Sequence, residues 1–204
     1  MDGSSGGESA AKRPSPGGLS VREVSDHDLR RAMELDDEYV GVGRARFEAW
    51  RTERPSWLRG AYLGSELVGV CLGNEKLPGA VVLQTIGVVF DHWGKGIGSA
   101  LLRDFEETLA ADGMVSVSLG SAPDEATESF YRKNGYRATH VMMKLSPEAE
   151  SPIKASRRPE GLRQDDRGRR LVVEIADYDR ALRDKLRDEY RAEEAIFIFE
   201  KNLA

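Results

Sequence analysis

The sequence predicts a mixed α/β fold in which helices cover both faces of a central sheet. Segments rich in β-branched residues alternate with segments whose apolar residues recur every three or four positions, which is typical of layered sheet-and-helix domains. A chain of 204 residues, 40% of them hydrophobic, is long enough to bury one core and too short to require two full domains. A glycine-rich junction joins a strand-like run to a helical one near the middle of the chain. We therefore expect one domain with appendages.

Composition divides the chain into four parts. Residues 1–18 are rich in Gly, Ser and Pro without apolar periodicity, which predicts a disordered tail. Residues 19–145 carry the regular pattern and form the predicted core. Residues 146–170 contain three prolines and many charges, which predicts an exposed charged loop. Residues 171–204 return to a strand, helix and strand, and we expect this extension to complete the sheet.

The elements of the first half follow from local patterns. Residues 19–24 alternate apolar and polar side chains as a strand does, and Ser25 with Asp28 resembles a capping box before a helix. Gly64 lies in a short polar connection typical of a hairpin. The predicted elements here are strands at 19–24, 58–62, 67–72 and 80–90, and helices after Asp28 and at 42–51.

The second half continues the alternation. After the glycines, apolar residues recur in steps of four from Ile97 to Leu109, and Asp112 with Gly113 ends that helix. Pro123 and the acidic residues after it suit the first turn of the next helix. The remaining predicted elements are helices at 97–111, 121–134 and 178–191, and strands at 114–119, 136–145, 171–175 and 195–199.

The junction between the strand ending near Phe90 and the helix beginning near Ile97 carries three glycines in five residues, Gly94, Gly96 and Gly98. Glycines let a backbone approach a ligand closely, and the free N–H groups and dipole of a helix start attract an anion. This junction is therefore a predicted phosphate-binding turn.

Two common phosphate-binding motifs fit the turn incompletely. A Walker-type loop needs Ser or Thr directly after Gly-Lys, whereas Gly94-Lys95 is followed by Gly96. The dinucleotide fingerprint needs a third glycine where this chain has Ser99.

A third motif fits both this turn and a segment downstream. Residues 88–102 resemble the acetyl-CoA-binding motif of the GNAT superfamily, the GCN5-related N-acetyltransferases: Gln or Arg, two residues, Gly, one residue, then Gly or Ala. Gly96, Ile97 and Gly98 match its end, while Trp93 replaces the usual Gln or Arg.

The second segment, residues 124–136, resembles the other landmark of that family, usually Asn, two residues, Ala, two residues, Phe-Tyr, then Lys-x-Gly-Phe. Asp124 and Thr127 replace the customary Asn and Ala, and Tyr136 replaces the Phe. The matching residues are Phe130, Tyr131, Lys133 and Gly135.

The resemblance, over residues 19–145, implies the fold and the donor of the family. It implies a mixed sheet split between its fourth and fifth strands, with acetyl-CoA as co-substrate in the split and no metal. The backbone N–H groups near Val88 and Val89 would align the pantetheine arm and stabilise the oxyanion, and residues 93–99 would hold the pyrophosphate. The residues implied to contact acetyl-CoA are Val88, Val89, Trp93, Gly94, Lys95, Gly96, Ile97, Gly98, Ser99, Asp124 and Lys133.

Tyr131 is the predicted general acid, since a phenol can give a proton to the departing CoA thiolate. Helical spacing predicts Phe130 in the core and Tyr131 turned toward the split. Family members that use a Glu early in the fourth strand have it where this chain has Val82. Glu75 or a water chain would then take the proton from the amine.

The acceptor is predicted to be an amine, on a small molecule or a protein, next to the first two helices. The aromatic residues of these helices and the strand ends would form its pocket. The resemblance also implies that the last strand, at 195–199, pairs beside residues 136–145. The aromatic candidates are Tyr39, Phe47, Trp50 and Trp57.

The runner-up function is a CoA-binding or regulatory module without catalysis, suggested by the changes at Trp93, Asp124 and the base position. Proton transfer by Tyr131 would exclude that alternative.

Composition argues against other classes. A net charge of −5 disfavours broad nucleic-acid binding. Cys71 is the one cysteine, which predicts a buried thiol in a reducing compartment, and the three histidines are too scattered for a zinc site. The chain lacks an apolar run of membrane-spanning length and a signal-peptide core, so we expect a cytoplasmic protein without membrane partners. A homodimer is compatible with the sequence.

Overall fold

A computed structural model describes residues 18–145, 162–165 and 168–203. The described strands form one sheet in the order β1-β2-β3-β4-β5-β9-β6-β8-β7. They are β1 Leu19–Glu23, β2 Arg59–Leu63, β3 Glu66–Leu77, β4 Ala80–Val88, β5 Ser116–Gly120, β6 Arg137–Leu145, β7 Leu162–Asp165, β8 Gly168–Glu174 and β9 Ala192–Asn202. The helices are α1 Leu29–Tyr39, α2 Arg44–Glu53, α3 Ile97–Ala111, α4 Glu125–Lys133 and α5 Arg180–Glu189.

The predicted mixed fold is confirmed, with helices on both faces of the sheet. On one face, α1 and α2 pack on β2 and β3, with Leu35, Phe47 and Tyr62 fully buried between them. On the other face, α3, α4 and α5 pack on the sheet around Phe105 and Phe197. Burial of these large side chains is the main stabilising contribution, worth about 1.5–3 kcal/mol for each fully buried apolar side chain.

The start of α1 differs from the predicted capping box. Asp28 precedes the helix in a helical conformation, and its side chain caps none of the free N–H groups. The Asp28 carboxylate instead accepts hydrogen bonds from the Ser25 hydroxyl, at 2.9 Å, and from the Tyr62 hydroxyl, at 3.0 Å. These bonds tie α1 to β2.

The predicted split lies between β4 and β5, which run parallel but pair only from Ala80 with Ser116 to Val82 with Ser118. On the other side of β4, Leu83 pairs with Gly73 and Thr85 with Leu72, so that Gln84 is an extra, bulged residue. A bulge bends its strand and increases the local twist. The bulge therefore bends β4 just beyond the point where its pairing with β5 ends.

The C-terminal strand lies inside the sheet. β9 pairs antiparallel with β5, and also with β6 through pairs such as Phe197 with Val141. The prediction that residues 195–199 pair beside residues 136–145 is thus confirmed, although the observed strand is longer.

The segment between β6 and β9 differs in part from the predicted loop. Within residues 146–170, β7 and the start of β8 form a hairpin, and β8 pairs with the outer edge of β6. Residues 146–161, 166 and 167 lie outside the described residues, as do residues 1–17 of the predicted tail and residue 204.

Helix α5 is joined to α4 through a buried carboxylate. Glu128 on α4 is fully buried and accepts hydrogen bonds from Arg183 and, at 2.6 Å, from the Tyr178 hydroxyl. Arg180 adds a longer ion pair at 3.5 Å. Since a buried charge is costly without partners, this network fixes α5 against the helix that carries Tyr131.

Candidate active site

The glycine turn lies at the open end of the split, between β4 and α3. Gly94 and Gly96 have φ angles of +73° and +77°, which only glycine adopts without strain. A short 3₁₀ turn, Phe90–His92, leads into them, and the core residue Ile97 begins α3. The sequence uses glycine here because the chain reverses through left-handed conformations between a strand and a helix.

The start of α3 presents unpaired donors. The first hydrogen bond of the helix runs from Ala100 N–H to Gly96 O, at 3.0 Å. The N–H groups of Ile97, Gly98 and Ser99 therefore have no partner within the helix, and they point out of its positive end. Lys95 is exposed beside this end, with Nζ 3.4 Å from His92 Nδ1. The arrangement suits a phosphate group.

The edge of β4 offers polar backbone groups to the split. Val89 N–H donates to Val68 O of the neighbouring strand at 2.8 Å. Because successive residues of a strand direct their polar groups to opposite edges, Val88 and Ile86 direct theirs toward β5. Of the two N–H groups predicted to stabilise the oxyanion, that of Val89 is thus already occupied, and that of Val88 faces the split.

Trp93 closes part of this edge. Its indole Nε1 donates to Val88 O at 2.5 Å, while 57% of its surface stays exposed. The ring packs against Phe90, with centroids 5.0 Å apart, and lies 6.5 Å from Tyr39. The Tyr39 hydroxyl accepts from Phe90 N–H at 3.1 Å. In this structure Trp93 braces the turn against the strand.

The opposite edge of the split contains two residues that the sequence analysis missed. Ser121 N–H donates to Phe197 O of β9 at 3.0 Å, so by alternation Gly120 directs its N–H and C=O toward β4. Ser121 is buried, and its hydroxyl has no hydrogen-bond partner among the described residues. The available signal was a glycine directly after the predicted strand 114–119, since glycine at a strand often marks close backbone approach.

Tyr131 and Phe130 have exchanged the surroundings predicted for them. Tyr131 is only 6% exposed and packs against Tyr136 and Phe199, whereas Phe130 is half-buried beside Gly98 of the turn. Helical spacing could not decide this, because the two rings have different tertiary neighbours: Phe130 contacts Gly98 of α3, and Tyr131 contacts Phe199 of β9. Phe130 thereby shapes the wall next to the glycine turn.

The hydroxyl of Tyr131 is available despite this burial. It has no hydrogen-bond partner within the described part of the chain. Burial, with smaller contributions from Cys71 and Asp124, raises the pKa of Tyr131 well above its usual value. Cys71 pairs with Ile86, whose backbone faces the split. The phenol therefore stays protonated, on the helix that directly follows β5.

Asp124 and Lys133 lie at the two ends of α4. The Asp124 carboxylate accepts from Thr127 N–H at 2.8 Å and so caps the start of the helix. Lys133 is exposed at the other end. The structure thus gives Asp124 a clear local role as the N-terminal cap of α4.

The structure does not bring Glu75 to the site. Glu75 pairs with Val81 at the start of β4, seven residues before Val88, which corresponds to about 23 Å along the strand. Its carboxylate accepts from Gly79 N–H at 2.9 Å and lies 3.5 Å from Arg54. Glu75 therefore fastens the hairpin at the far end of β4, in the wall of a separate surface cavity.

The aromatic residues predicted for the acceptor site are dispersed. Phe47 and Trp57 are buried in the core, and Trp50 lines the same distant cavity as Glu75. Tyr39 alone lies near the split, where its ring covers Gly87 of β4. A side chain at Gly87 would collide with that ring, since an added Cβ would lie 2.9 Å from Tyr39 Cδ2.

Within the described ranges, no cluster of three or more metal-ligating side chains occurs. No helix in that part of the chain has the length and apolar character needed to cross a bilayer.

Comparison with solved structures shows the same fold in several acetyltransferases. Ard1 from Thermoplasma volcanium is 17% identical, with a TM-score of 0.58 over 92% of this chain and 99% of that one. Arabidopsis thaliana Naa50, in complex with the bisubstrate analogue CoA-Ac-MVNAL, is 18% identical, with a TM-score of 0.59 over 90% and 98%. The Escherichia coli ribosomal-protein-S18-alanine N-acetyltransferase is 12% identical, with a TM-score of 0.56 over 91% and 94%. No curated protein matches the sequence.

The split parallel strand pair, and the helix start with free N–H groups at its open end, fit a protein that binds a phosphate-bearing ligand such as CoA. Residues 22–136, more than half of the chain, match the model of the Acetyltransferase (GNAT) family. The chain belongs to this family and is an acetyl-CoA-dependent N-acetyltransferase.

Proposed function

We propose that this enzyme binds acetyl-CoA along the edge of β4 and uses Tyr131 to protonate the departing thiolate. The observation that carries the proposal is the protonated phenol on the helix that follows β5, without a hydrogen-bond partner among the described residues, together with a split whose open end carries free N–H groups. In this arrangement the pyrophosphate lies on residues 93–99 and the pantetheine arm runs into the split toward Tyr131.

Transfer proceeds by direct attack. The neutral amine adds to the thioester carbonyl, and Val88 N–H donates to the oxygen as negative charge develops there. The C–S bond then breaks, sulfur takes the electron pair, and the Tyr131 hydroxyl gives sulfur a proton. Water, reaching the split from its open side, removes the proton from the attacking nitrogen. Neither predicted position supplies a carboxylate for this step, because Val82 is apolar and Glu75 lies at the far end of β4.

The acceptor approaches from the face carrying α1, where Tyr39 borders the end of β4. Its amine belongs either to a small molecule or to a protein. The bisubstrate analogue CoA-Ac-MVNAL bound to the Arabidopsis protein is a reason to include peptide N termini among the candidates.

The test is a thiol-release assay with acetyl-CoA and a panel of small amines, polyamines, lysine peptides and peptides with free N termini. Acetylated product must be identified by mass spectrometry, since thiol release alone also reports hydrolysis. Transfer to one class, lost in Tyr131→Phe, supports the proposal. Binding of acetyl-CoA without transfer to any amine would instead favour the regulatory module.

We also propose a location, partners and domain boundaries for the enzyme. We place it in the cytoplasm, supported by the buried free thiol of Cys71, and assign it neither a nucleic-acid nor a membrane partner, supported by its net charge of −5. We retain residues 19–145 as the catalytic core and 171–204 as the extension that completes its sheet. A homodimer is testable by light scattering.

A further inference from the structure

Trp93 occupies a backbone group at the edge of the split that is proposed to hold acetyl-CoA. Its indole N–H occupies Val88 O, on the edge of β4 that faces the split. More than half of the side chain is exposed, so the ring can turn away without opening the core. The family motif usually has Gln or Arg at this position, so an indole donor here departs from the motif.

The Val88 carbonyl is the acceptor that an extended amide ligand needs. A chain that adds to an open strand edge pairs with the outward N–H and C=O groups of alternate residues, here Ile86 and Val88. The pantetheine arm contains two amides and is long enough to pair in this way. While the Trp93 indole donates to Val88 O, the Val88 N–H can still donate to a ligand. The Val88 carbonyl, however, cannot accept from a ligand amide in the direction that the indole occupies.

We propose that Trp93 competes with the pantetheine arm for the Val88 carbonyl and swings away when acetyl-CoA binds. The inference rests on the proposed function, because it requires the arm to lie along β4. Trp93 then lowers the affinity for CoA, because its indole holds the free enzyme in a partly closed form. The pyrophosphate contacts at the start of α3 are unaffected, since they use different backbone groups.

The experiment is calorimetric titration of CoA into wild type, Trp93→Phe and Trp93→Leu. Both variants lack the N–H, and Phe keeps an aromatic ring against Phe90. Losing one competing hydrogen bond should tighten CoA binding about two- to tenfold in both. Adenosine 3′,5′-bisphosphate, which lacks the arm, should show no gain. Trp50→Phe is the matched control, because Trp50 lines the distant cavity, and its CoA affinity should equal that of wild type.

The outcomes separate the inference from the proposed function. If wild type binds no CoA, the donor site is refuted and the inference falls with it. If wild type binds CoA but both Trp93 variants bind it with the same affinity as wild type or more weakly, the inference alone is overturned. Equal affinity would mean that the indole does not compete, and weaker binding would mean that it contacts the ligand. Equal gains with adenosine 3′,5′-bisphosphate would also overturn it.

Discussion

Tyr131→Phe tests the central chemical assignment. The phenol ring packs with centroids 5.2 Å from Phe130, 5.8 Å from Tyr136 and 5.9 Å from Phe199, and Phe preserves these contacts. The hydroxyl gives up no hydrogen bond among the described residues, so the free energy of unfolding should change by less than about 0.5 kcal/mol.

The effect on catalysis should be much larger than the effect on stability. Loss of a general acid typically costs about 10²- to 10⁴-fold in rate, or about 3–5 kcal/mol of transition-state stabilisation. We expect kcat to fall by that factor while the Kd for acetyl-CoA stays within about twofold, because the pyrophosphate contacts remain. Steady-state kinetics, calorimetry and thermal melting of the same preparations measure the three quantities.

The pH profile adds an independent readout. A general acid works in its protonated form, and burial raises the pKa of Tyr131 above its usual value of 10. Wild-type kcat should therefore show no loss attributable to this group as pH rises to about 10, and the loss should appear only at higher pH.

The control is Tyr136→Phe, a neighbouring tyrosine whose buried hydroxyl lies near Glu106 but has no hydrogen-bond partner among the described residues. It should retain wild-type kcat. A Tyr131→Phe enzyme with kcat within about threefold of wild type would refute the assignment of Tyr131 as the acid.

Three further substitutions test the structure around the site. Asp36→Asn should raise the melting temperature at pH 7, because burial raises the pKa of Asp36 and its Oδ1 has no hydrogen-bond partner among the described residues; the gain should shrink as pH falls and the acid protonates. Gly96→Ala, at a φ of +77°, should cost about 1–2 kcal/mol of unfolding free energy and weaken CoA binding, measured by urea denaturation and calorimetry. Arg183→Met should cost about 3 kcal/mol in the same denaturation assay, since it removes a partner of the buried Glu128.

Each of these has a contrary outcome. An Asp36→Asn gain of equal size at pH 3 and pH 7 would show that ionisation is not the cause. Unchanged stability in Gly96→Ala would mean that the turn relaxes out of its left-handed conformation. For Arg183→Met, the double variant with Glu128→Met should recover most of the loss, and a second loss of similar size would contradict the burial argument.

The fold was largely predictable because its elements depend on local patterns. Apolar periodicity located α3, Pro123 with the acidic residues after it located the start of α4, and the glycines located the turn between β4 and α3. The predictions were wrong where the local structure depends on contacts with distant parts of the chain. Asp28 bonds to Tyr62, which is distant in sequence, instead of capping its helix, and the hairpin within residues 162–174 depends on an open edge of β6 that no local pattern reveals.

The site was predictable only as a set of residues along the chain. The sequence by itself determined the family, the glycine turn between β4 and α3 and the tyrosine that follows it, because backbone conformation at glycines and short spacings are local properties. Tertiary structure alone decided that Glu75 lies at the wrong end of β4, that Val89 N–H is already occupied, that Gly120 faces the split and that Trp93 holds the Val88 carbonyl. These facts depend on strand register, the bulge at Gln84 and which edge of a strand is left unpaired, and such properties exist only once distant segments have come together.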